Sequence, residues 1–453
     1  MKQHSVEEII ARLARIERAR QDKREQPKAN GYDTEARISI ADFAAYMPGH
    51  NYIFKPTREL WPALSVTARI GWVGKMRASA WLDVNRPIEQ MTWAPGEPME
   101  IKDKLIAEGG WIRRPGCTVF NLYRPPALVP KRGDVSPWVE HGTKVYGEDF
   151  EHVVRWLAHR VQRPHEKINH ALVLGGGQGI GKDTLLEPVK QAVGPWNFIE
   201  VSPRQILGRF NGFVKSVILR VNEARDLGYR DRYAFYDHMK AYTAAPPDVL
   251  RVDEKYLREI SVPNVCGAII TSNYKTDGIY LAADDRRHYV AWSNRTEMDF
   301  EEGYWRDLYG WYKGGGVEHV AAYLATYELT NFDPKAPPPK TSAFYEIAGA
   351  GKAPEEAELA DALDKLGRPD AVTLSQVADK AAEGLAIWIR DRRNSRLIPH
   401  RMEACGYVAV QNPADKSDGR WRVNDKRQVI YGKADLPVPD RTLAAMKLAG
   451  VRP

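Results

Sequence analysis

The stretch LVLGGGQGIGKDT, residues 172–184, decides the fold of this chain. An apolar strand runs into a glycine-rich loop, and Lys182 stands at the start of the helix that follows. Glycines let backbone N–H groups approach phosphate oxygens, and the beginning of a helix adds a partial positive charge. The spacing Gly176-x4-Gly181-Lys182 fits the phosphate-loop formula, so we predict a nucleoside-triphosphate site. Its predicted contacts are Gly176, Gly177, Gln178, Gly179, Ile180, Gly181, Lys182, Asp183 and Thr184.

One position of this loop departs from the formula. Asp183 occupies the place of the usual Ser or Thr, and the hydroxyl follows at Thr184. Either Asp183 itself approaches a metal ion, or metal binding is impaired and the protein is a nucleotide-gated switch. We favour an active site, because the lysine, the hydroxyl and the polar ends of two later strands all occur together.

Helical segments and short apolar runs alternate from about residue 145 to residue 330. This alternation indicates an α/β fold with a parallel, doubly wound sheet. Two of the apolar runs, VKSVILRVNEA (214–224) and CGAIITSN (266–273), end in polar residues. Ligands bind at the carboxyl ends of the strands in such sheets, so these polar residues are candidates for the site.

Asn222 and Glu223 end the first of these strands, and Asn273 ends the second. A carboxylate at Glu223 is suited to orient a water toward the γ-phosphate. Asn222, together with Asp183 and Thr184, is suited to hold the shell of a Mg²⁺ ion, and Asn273 to hydrogen-bond the phosphate. The alternative for Asn222 and Glu223 is a solvated loop. Asn273 alone is a weak signal, because strands often end in Ser or Asn.

The segment DDRRHYV (284–290) follows shortly after and carries Arg286 and Arg287. Either guanidinium is suited to stabilise charge on a transferred phosphoryl group, as an arginine finger does. The alternative is that Asp284 and Asp285 pair with these arginines locally.

Composition bounds the rest of the chain. Its 453 residues allow about three domains, and the net charge of +7 permits a polyanionic partner without establishing one. No stretch approaches the roughly 20 apolar residues of a membrane span, and the charged N-terminus does not resemble a secretory signal. Three separated cysteines fit a reducing compartment, so we expect a cytoplasmic protein of a bacterial host cell.

The sequence divides into five predicted segments. These are a basic helix and tether (1–30), a mixed N-terminal accessory domain (31–135), the α/β domain (136–330), a Pro-rich linker (331–341) and a C-terminal module (342–453). The last reads as three helices and a hairpin, which suggests a winged-helix-like domain. Arg396, Arg401 and Arg422 are its candidate DNA contacts, through phosphates. The alternative is a domain used for packing or protein contacts.

The order of the motifs LGGGQGIGKDT, ILRVNEA, KAYTAAPPDVLRVDEKYLREISVPN, AIITSN and DDRRHYV resembles that of the superfamily 3 helicases of viruses, phages and plasmids. It is most similar to the helicase half of phage and plasmid primase-helicase proteins. The resemblance covers about residues 150–295. It implies an AAA+-like P-loop NTPase core, ATP and Mg²⁺ as cofactors, and a ring in which neighbouring subunits share each ATP site. We expect this ring to be a homo-hexamer.

The resemblance also implies roles for single residues. By position, these are Lys182 and Thr184 on ATP, Glu223 as base, Asn273 as sensor and Arg286 or Arg287 as finger. It further implies a hairpin that holds single-stranded DNA, with Lys255 and Tyr256 as contacts. A lysine beside an aromatic ring suits sequence-blind binding of single strands. Asp253, Glu254 and Glu259 favour the alternative, a solvated hairpin of mixed charge.

We therefore predict an ATP-dependent, ring-forming DNA helicase that acts in the replication of a phage or mobile element on single-stranded and forked DNA. The runner-up is an ATP-gated initiator or loader with little processive unwinding, and the third class is a small-molecule kinase. The N-terminal region contains no DxD strand motif, so priming is unsupported and a separate primase or polymerase is a possible partner.

Overall fold

The computed structural model describes residues 38–222, 228–275, 279–350, 354–395, 397–415 and 417–451. The predicted basic helix at 1–30, Glu223 and Arg396 lie outside these residues. The chain divides into two compact units, Met1–Glu89 and Gln90–Pro453, and each is described here by itself. Among the described residues, no helix combines the length and the apolar character that crossing a membrane requires.

The first unit is a small α/β body. Its elements are β1 (Phe43–Tyr46), β2 (Asn51–Phe54), β3 (Glu59–Pro62), α1 (Ala63–Ile70), β4 (Trp72–Val73), β5 (Met76–Arg77), α2 (Ala78–Asn85) and β6 (Pro87–Ile88). The strands β1, β2 and β3 are antiparallel neighbours, and β6 joins β1 in parallel. Phe43, Tyr52, Val66 and Leu82 form the core between the sheet and the two helices.

The second unit begins with a three-stranded sheet, β7 (Gln90–Thr92), β8 (Glu100–Ala107) and β9 (Gly110–Asn121), in the order β7-β9-β8. The predicted accessory domain at 31–135 is therefore divided by the structure, because this sheet belongs with the larger unit. The hydroxyl of Thr92 donates to the Ser261 carbonyl at 2.8 Å, which ties β7 to a hairpin of the larger unit.

Helices and parallel strands alternate through the middle of the second unit. The elements are α3 (Ser136–Tyr146), α4 (Asp149–Gln162), β10 (Ala171–Gly176), α5 (Lys182–Val193), β11 (Phe198–Val201), α6 (Pro203–Ile206), β12 (Ile218–Val221), α7 (Gly228–Thr243), β13 (Val249–Val252), β14 (Ile260–Pro263), β15 (Gly267–Ser272), β16 (His288–Ser293), α8 (Tyr304–Trp311), α9 (Val317–Thr326) and α10 (Ser342–Ala350). The predicted alternation of strand and helix in this region is confirmed.

Within the described residues, five strands form one parallel sheet in the order β11-β12-β15-β10-β16. Every residue of β10, β12 and β15 is buried, as expected for strands that helices cover. Because neighbouring parallel strands end at the same edge, β10, β12 and β15 deliver their last residues to one place. That edge carries the glycine-rich loop.

Residues 331–341 were predicted to be a linker, but in the structure they pack onto the core of the second unit. Phe332 contacts this core, the Pro334 carbonyl accepts from the backbone N–H of Asn169 at 2.7 Å, and the Thr341 hydroxyl donates to the Val290 carbonyl at 2.8 Å. The helix α10 contributes Phe344 to the same core. The C-terminal module therefore begins after α10, not at residue 342.

The C-terminal module has its own apolar core. Its elements are α11 (Pro354–Lys365), β17 (Ala371–Thr373), α12 (Leu374–Lys380), α13 (Glu383–Arg390), α14 (Ile398–Ala404), β18 (Tyr407–Val410), β19 (Trp421–Val423), β20 (Lys426–Gln428), β21 (Ile430–Lys433) and α15 (Val438–Leu448). The strands β17, β21 and β18 form an antiparallel sheet, and β19 pairs with β20 in a separate hairpin. Leu363, Val377 and Met402 bury between the helices and this sheet.

Candidate functional site

The glycine-rich loop connects β10 to α5 and is shaped by close contacts. Gly179 and Gly181 have φ angles of +79° and +84°, which favour glycine. A Cβ atom at Gly181 would lie 2.5 Å from Cε1 of His141 and 2.6 Å from Cη2 of Trp305. The Gly181 carbonyl lies 3.0 Å from Nε2 of His141, and burial lowers the pKa of this histidine. The loop is therefore fixed by its surroundings as well as by its own sequence.

Lys182 brings the loop and the end of β15 together. Its buried ammonium donates to the carbonyls of Gly176 at 2.8 Å and Gly177 at 2.7 Å, and to Oδ1 of Asn273 at 2.8 Å. Two residues predicted for one site from separate motifs, Lys182 and Asn273, are thus in direct contact.

The ends of β11 and β12 form one wall beside the loop. Asp183 forms an ion pair with Arg220, which is only 8% exposed. The amide Nδ2 of Asn222 donates to Oε2 of Glu200 at 3.1 Å. Oδ1 of Asn222 is buried and has no hydrogen-bond partner among the described residues. This wall thus collects two carboxylates, a guanidinium and an unsatisfied amide oxygen.

Glu200 and Arg220 were not predicted as site residues. Burial raises the pKa of Glu200, but the Asn222 hydrogen bond and the charges of Arg220 and Lys190 outweigh burial and lower this pKa overall. Glu200 is therefore ionised near neutral pH. A signal existed in the sequence, because Glu200 stands near the end of the apolar run NFIEV, which forms β11.

The helix α8 forms the opposite wall. The hydroxyls of Thr184 and Tyr309 lie 2.9 Å apart, and the Tyr312 hydroxyl donates to the Thr184 carbonyl at 2.9 Å. Thr184 therefore lies toward α8, while Asp183 lies toward the strand ends, so the structure separates these two predicted metal ligands. Trp305 and Tyr309 were missed by sequence reasoning, although the aromatic segment YWRDLYGWY (304–312) offered a signal.

A cleft of about 560 Å³ lies between the two walls. Its lining residues are Gln178, Gly179, Gly181, Lys182, Asp183, Thr184, Glu200, Arg220, Asn222, Thr271, Asn273, Glu297, Trp305 and Tyr309. Among the described residues, no group of three or more His, Cys, Asp or Glu side chains is arranged to hold a metal ion. The predicted residue Glu223 lies outside the described residues.

Arg286 and Arg287 lie away from this cleft. They line a second cleft of about 740 Å³, together with Lys240, Tyr236 and residues of α14 that include His400. Asp285 contacts Arg287 through the backbone, because the Arg287 N–H donates to Oδ1 of Asp285 at 2.9 Å. Asp285 accepts a hydrogen bond from the Tyr236 hydroxyl at 2.8 Å and lies 3.1 Å from Nδ1 of His288. Within one chain, the predicted arginine fingers and the glycine-rich loop are therefore not brought together.

The predicted hairpin between the second and third motifs exists, as β13 and β14. At its tip, Tyr256 is 91% exposed and has a φ of +65°, and the Lys255 ammonium lies 4.9 Å from the centre of the Tyr256 ring. Three cations pair with the carboxylates that argued against a DNA contact. The pairs are Asp253 with Arg209, Glu254 with Lys215, and Glu259 with Arg251. Local pairing thus offsets these negative charges around Lys255.

The predicted C-terminal contacts differ in their surroundings. Arg401 is 9% exposed, and its guanidinium lies 3.3 Å from the carboxylate of Glu356 on α11. The structure therefore corrects the prediction for Arg401, because a buried, paired guanidinium holds α14 against α11 and is not a surface contact for DNA. Arg422 is exposed on β19, opposite Arg427 of β20. Arg396 lies outside the described residues.

Three comparisons with known proteins place these observations. A family model described as "Family of unknown function (DUF5906)" matches residues 174–287. A protein named DNA Primase-polymerase, from Nitratiruptor phage NrS-1, is 23% identical over 221 residues, which are 46% of this chain and 29% of that protein. The chain thus spans less than a third of the length of this relative.

Solved structures of the NrS-1 C-terminal region share the fold. Its apo structure superposes with a TM-score of 0.55 at 15% identity, over 86% of this chain and 95% of that chain. A second apo structure, of the A form, gives a TM-score of 0.52 at 17% identity, over 82% and 85% of the two chains. The chain is thus similar to part of a phage DNA primase-polymerase, in a mixed α/β fold with a parallel sheet.

Proposed function

We propose that this chain is an ATP-dependent DNA helicase of the superfamily 3 type, which works as a ring in the replication of a phage or similar mobile element. The observation that carries the proposal is the contact between Lys182 and Asn273 at the glycine-rich loop. The two residues come from the first and fourth motifs of the resemblance, and a phosphate-binding lysine and a phosphate sensor must meet at one phosphate. The names of the similar proteins support a role in phage DNA replication.

The cleft fits a nucleoside triphosphate. The cleft of about 560 Å³ runs along the loop past Gly181 and Lys182, and the start of α5 adds the partial positive charge that phosphates favour. In the described state Lys182 donates to two loop carbonyls, so it must exchange these acceptors for phosphate oxygens when ATP binds. Loss of these bonds on the protein side is offset by the stronger charge-assisted bonds to phosphate.

The strand-end wall fits a Mg²⁺ ion. Its oxygen donors are the carboxylates of Asp183 and Glu200 and the unsatisfied Oδ1 of Asn222, and oxygen is the ligand that Mg²⁺ prefers. When bound, the ion supplies charge neutralisation for the phosphoryl group. Arg220, paired with Asp183, adds a fixed positive charge at the same wall. Glu223, which directly follows Asn222, remains the proposed base that orients the attacking water.

The ring is proposed from the arginines. Arg286 and Arg287 line a cleft other than the one around the loop, so a catalytic role for either requires the nucleotide of another subunit. An arginine finger supplied in this way accelerates phosphoryl transfer by about 10³-fold or more. Activity should therefore depend on assembly, for which a hexamer is the proposed form.

DNA is proposed to contact the chain in two places. The tip of the β13–β14 hairpin offers Lys255 for a phosphate and Tyr256 for stacking on a base. The C-terminal module is proposed to be a winged-helix-like domain, and the order helix, strand, three helices, strand, hairpin, strand supports this. In that case the β19–β20 hairpin, with Arg422, is the wing that contacts duplex phosphates.

The test is ATP hydrolysis with and without single-stranded DNA, measured beside strand displacement on a forked duplex. We expect DNA-stimulated hydrolysis with displacement, and loss of hydrolysis in Lys182→Ala with the fold retained. Stimulated hydrolysis without displacement would instead support the initiator or loader. Hydrolysis that ignores DNA but requires a small acceptor would indicate a kinase, and a Lys182→Ala protein as active as the parent would refute the nucleotide site.

A further inference from the structure

The two walls of the cleft have different chemistry. The strand-end wall presents charged and amide groups, from Asp183, Glu200, Arg220 and Asn222. The α8 wall presents two aromatic rings, Trp305 and Tyr309, which are four residues apart and so lie on one face of the helix. The cleft is therefore polar at one end and aromatic at the other.

The sheet keeps these walls apart. The strand β16 lies on the opposite side of β10 from β15, β12 and β11, and α8 follows β16 in the chain. The first turn of α5 contacts both walls, because Asp183 pairs with Arg220 while the Thr184 hydroxyl contacts the Tyr309 hydroxyl. A ligand that lies along the loop therefore contacts the charged wall with one end and the aromatic wall with the other.

The Trp305 ring is held in place and close to the loop. A Cβ atom on Gly181 would lie 2.6 Å from Cη2 of Trp305, so the indole rests against the loop backbone. Phe300 and His141 hold the ring from other sides, at centroid distances of 4.8 Å and 5.7 Å. The indole is half-buried and lines the cleft, which makes it a fixed flat surface with little conformational entropy to lose.

A nucleoside triphosphate has the same polarity as the cleft, with charged phosphates at one end and a flat aromatic base at the other. We propose that Trp305, with Tyr309 beside it, is the surface on which the base of the bound nucleotide packs. This inference rests on the proposed function, because it requires the triphosphate to lie on the loop. It assigns a role to α8, which follows the last of the motifs that predicted the site.

The experiment compares ATP with inorganic tripolyphosphate, which has the charge and lacks the base. Binding of both is measured by titration calorimetry, with Mg²⁺, for the parent, Trp305→Ala, Trp305→Phe and Lys182→Ala. Stacking of a base on an aromatic side chain is worth about 1–3 kcal/mol, which corresponds to about 5- to 150-fold in affinity. We expect Trp305→Ala to lose ATP affinity by a factor in this range and to bind tripolyphosphate as the parent does.

The controls separate a base contact from damage to the loop. Trp305→Phe keeps an aromatic ring and should retain ATP affinity within about 5-fold. Trp72→Ala removes an exposed tryptophan of the first unit and should leave the affinities for ATP and for tripolyphosphate unchanged. If Trp305→Ala weakens ATP and tripolyphosphate equally, or weakens neither, the inference is wrong.

Failure of the inference and failure of the proposed function give different results. If Lys182→Ala loses ATP binding while Trp305→Ala keeps it, the site stands and the base lies elsewhere. If the parent does not bind ATP, or Lys182→Ala binds it unchanged, the nucleotide site itself is refuted, and the base contact with it.

Discussion

The cleft around the glycine-rich loop and the tip of the β13–β14 hairpin are built in opposite ways. In the cleft, Lys182 is buried and bonded to two loop carbonyls and to Asn273, and the loop packs against His141 and Trp305. At the tip, Tyr256 is 91% exposed and has its own Lys255 as a ring contact. Changes to the loop backbone at Gly181 should therefore alter stability and ligand binding together, while changes at the tip should alter binding alone.

The largest effect is expected for Gly181→Ala. The φ of +84° costs an alanine about 1–2 kcal/mol, and overpacking against His141 and Trp305 adds about 1–3 kcal/mol. We expect the free energy of unfolding to fall by about 2–5 kcal/mol, measured by urea denaturation, and ATP hydrolysis to be lost.

A control for Gly181→Ala is available in the same loop. A Cβ atom at Gly177 would meet only the Arg295 carbonyl oxygen, at 3.4 Å, so Gly177→Ala should cost much less stability. Equal destabilisation by the two substitutions would show that the contacts of the loop with His141 and Trp305 do not fix its shape.

The second prediction concerns the tip. Changing Lys255 and Tyr256 together to alanine should weaken single-strand binding by about 10- to 100-fold and lower the salt slope by about 0.7, because one stacking contact and one phosphate contact are lost. The free energy of unfolding should stay within about 0.5 kcal/mol of the parent, since both residues are at the surface.

Fluorescence anisotropy with a labelled oligonucleotide measures this effect at several salt concentrations. Leu257→Ala, at a neighbouring position that is 52% exposed, serves as the control and should bind as the parent does. If the double variant binds with the affinity of the parent, the alternative of a solvated hairpin without a DNA contact is supported.

The third prediction concerns pH and three histidines of the second unit, of which His159 and His170 are buried and His152 is half-buried. Burial is the largest cause that lowers the pKa of His152 to about 4, and of His159 and His170 to about 3, from 6.5. These rings stay neutral when folded, but in the unfolded chain they take up protons below pH 6.5. Stability is therefore complete above pH 6.5 and falls as the pH drops toward 4.

At pH 5.5, one unit below 6.5, each of these histidines should lower the free energy of unfolding by about 1 kcal/mol. His152 stacks on Tyr289 at a centroid distance of 3.8 Å, so His152→Phe keeps a ring there and removes the titration. Denaturation at pH 7.5 and 5.5 should show a smaller loss for this variant than for the parent. An equal loss would mean that other groups govern the acid sensitivity.

The difference between local sequence patterns and long-range packing explains how much of the site the sequence could predict. The loop and the strands that follow it were predicted from local patterns, since apolar runs, glycines and polar strand ends each lie within about a dozen residues. Glu200, Trp305 and Tyr309 join the cleft only through the order of strands in the sheet, which a single sequence does not reveal. The sequence therefore named the loop residues and Asn222 for one site, but it missed Glu200, Trp305 and Tyr309.

The boundaries show a similar division. Proline-rich composition at 331–341 predicted a linker, but the half-buried Phe332 packs against the core of the second unit, and this packing depends on partners far away in the chain. Likewise, Arg401 looked like a basic surface residue because its acidic partner, Glu356, lies 45 residues earlier. Charge counted along the sequence does not distinguish a paired guanidinium from an available one.

The smallest effect is expected in the C-terminal module, where two arginines offer a matched pair. Arg422 and Arg427 face each other across β19 and β20. The guanidinium of Arg427 lies 2.6 Å from carboxylate oxygens of both Asp415 and Asp418, so its charge is offset locally. If this hairpin contacts duplex phosphates, Arg422→Ala should lower the salt slope of duplex binding by about 0.9 and the affinity on the order of 5-fold near 0.1 M salt. Arg427→Ala should change both less, and equal or absent effects in the two variants would support packing or protein contacts as the role of this module.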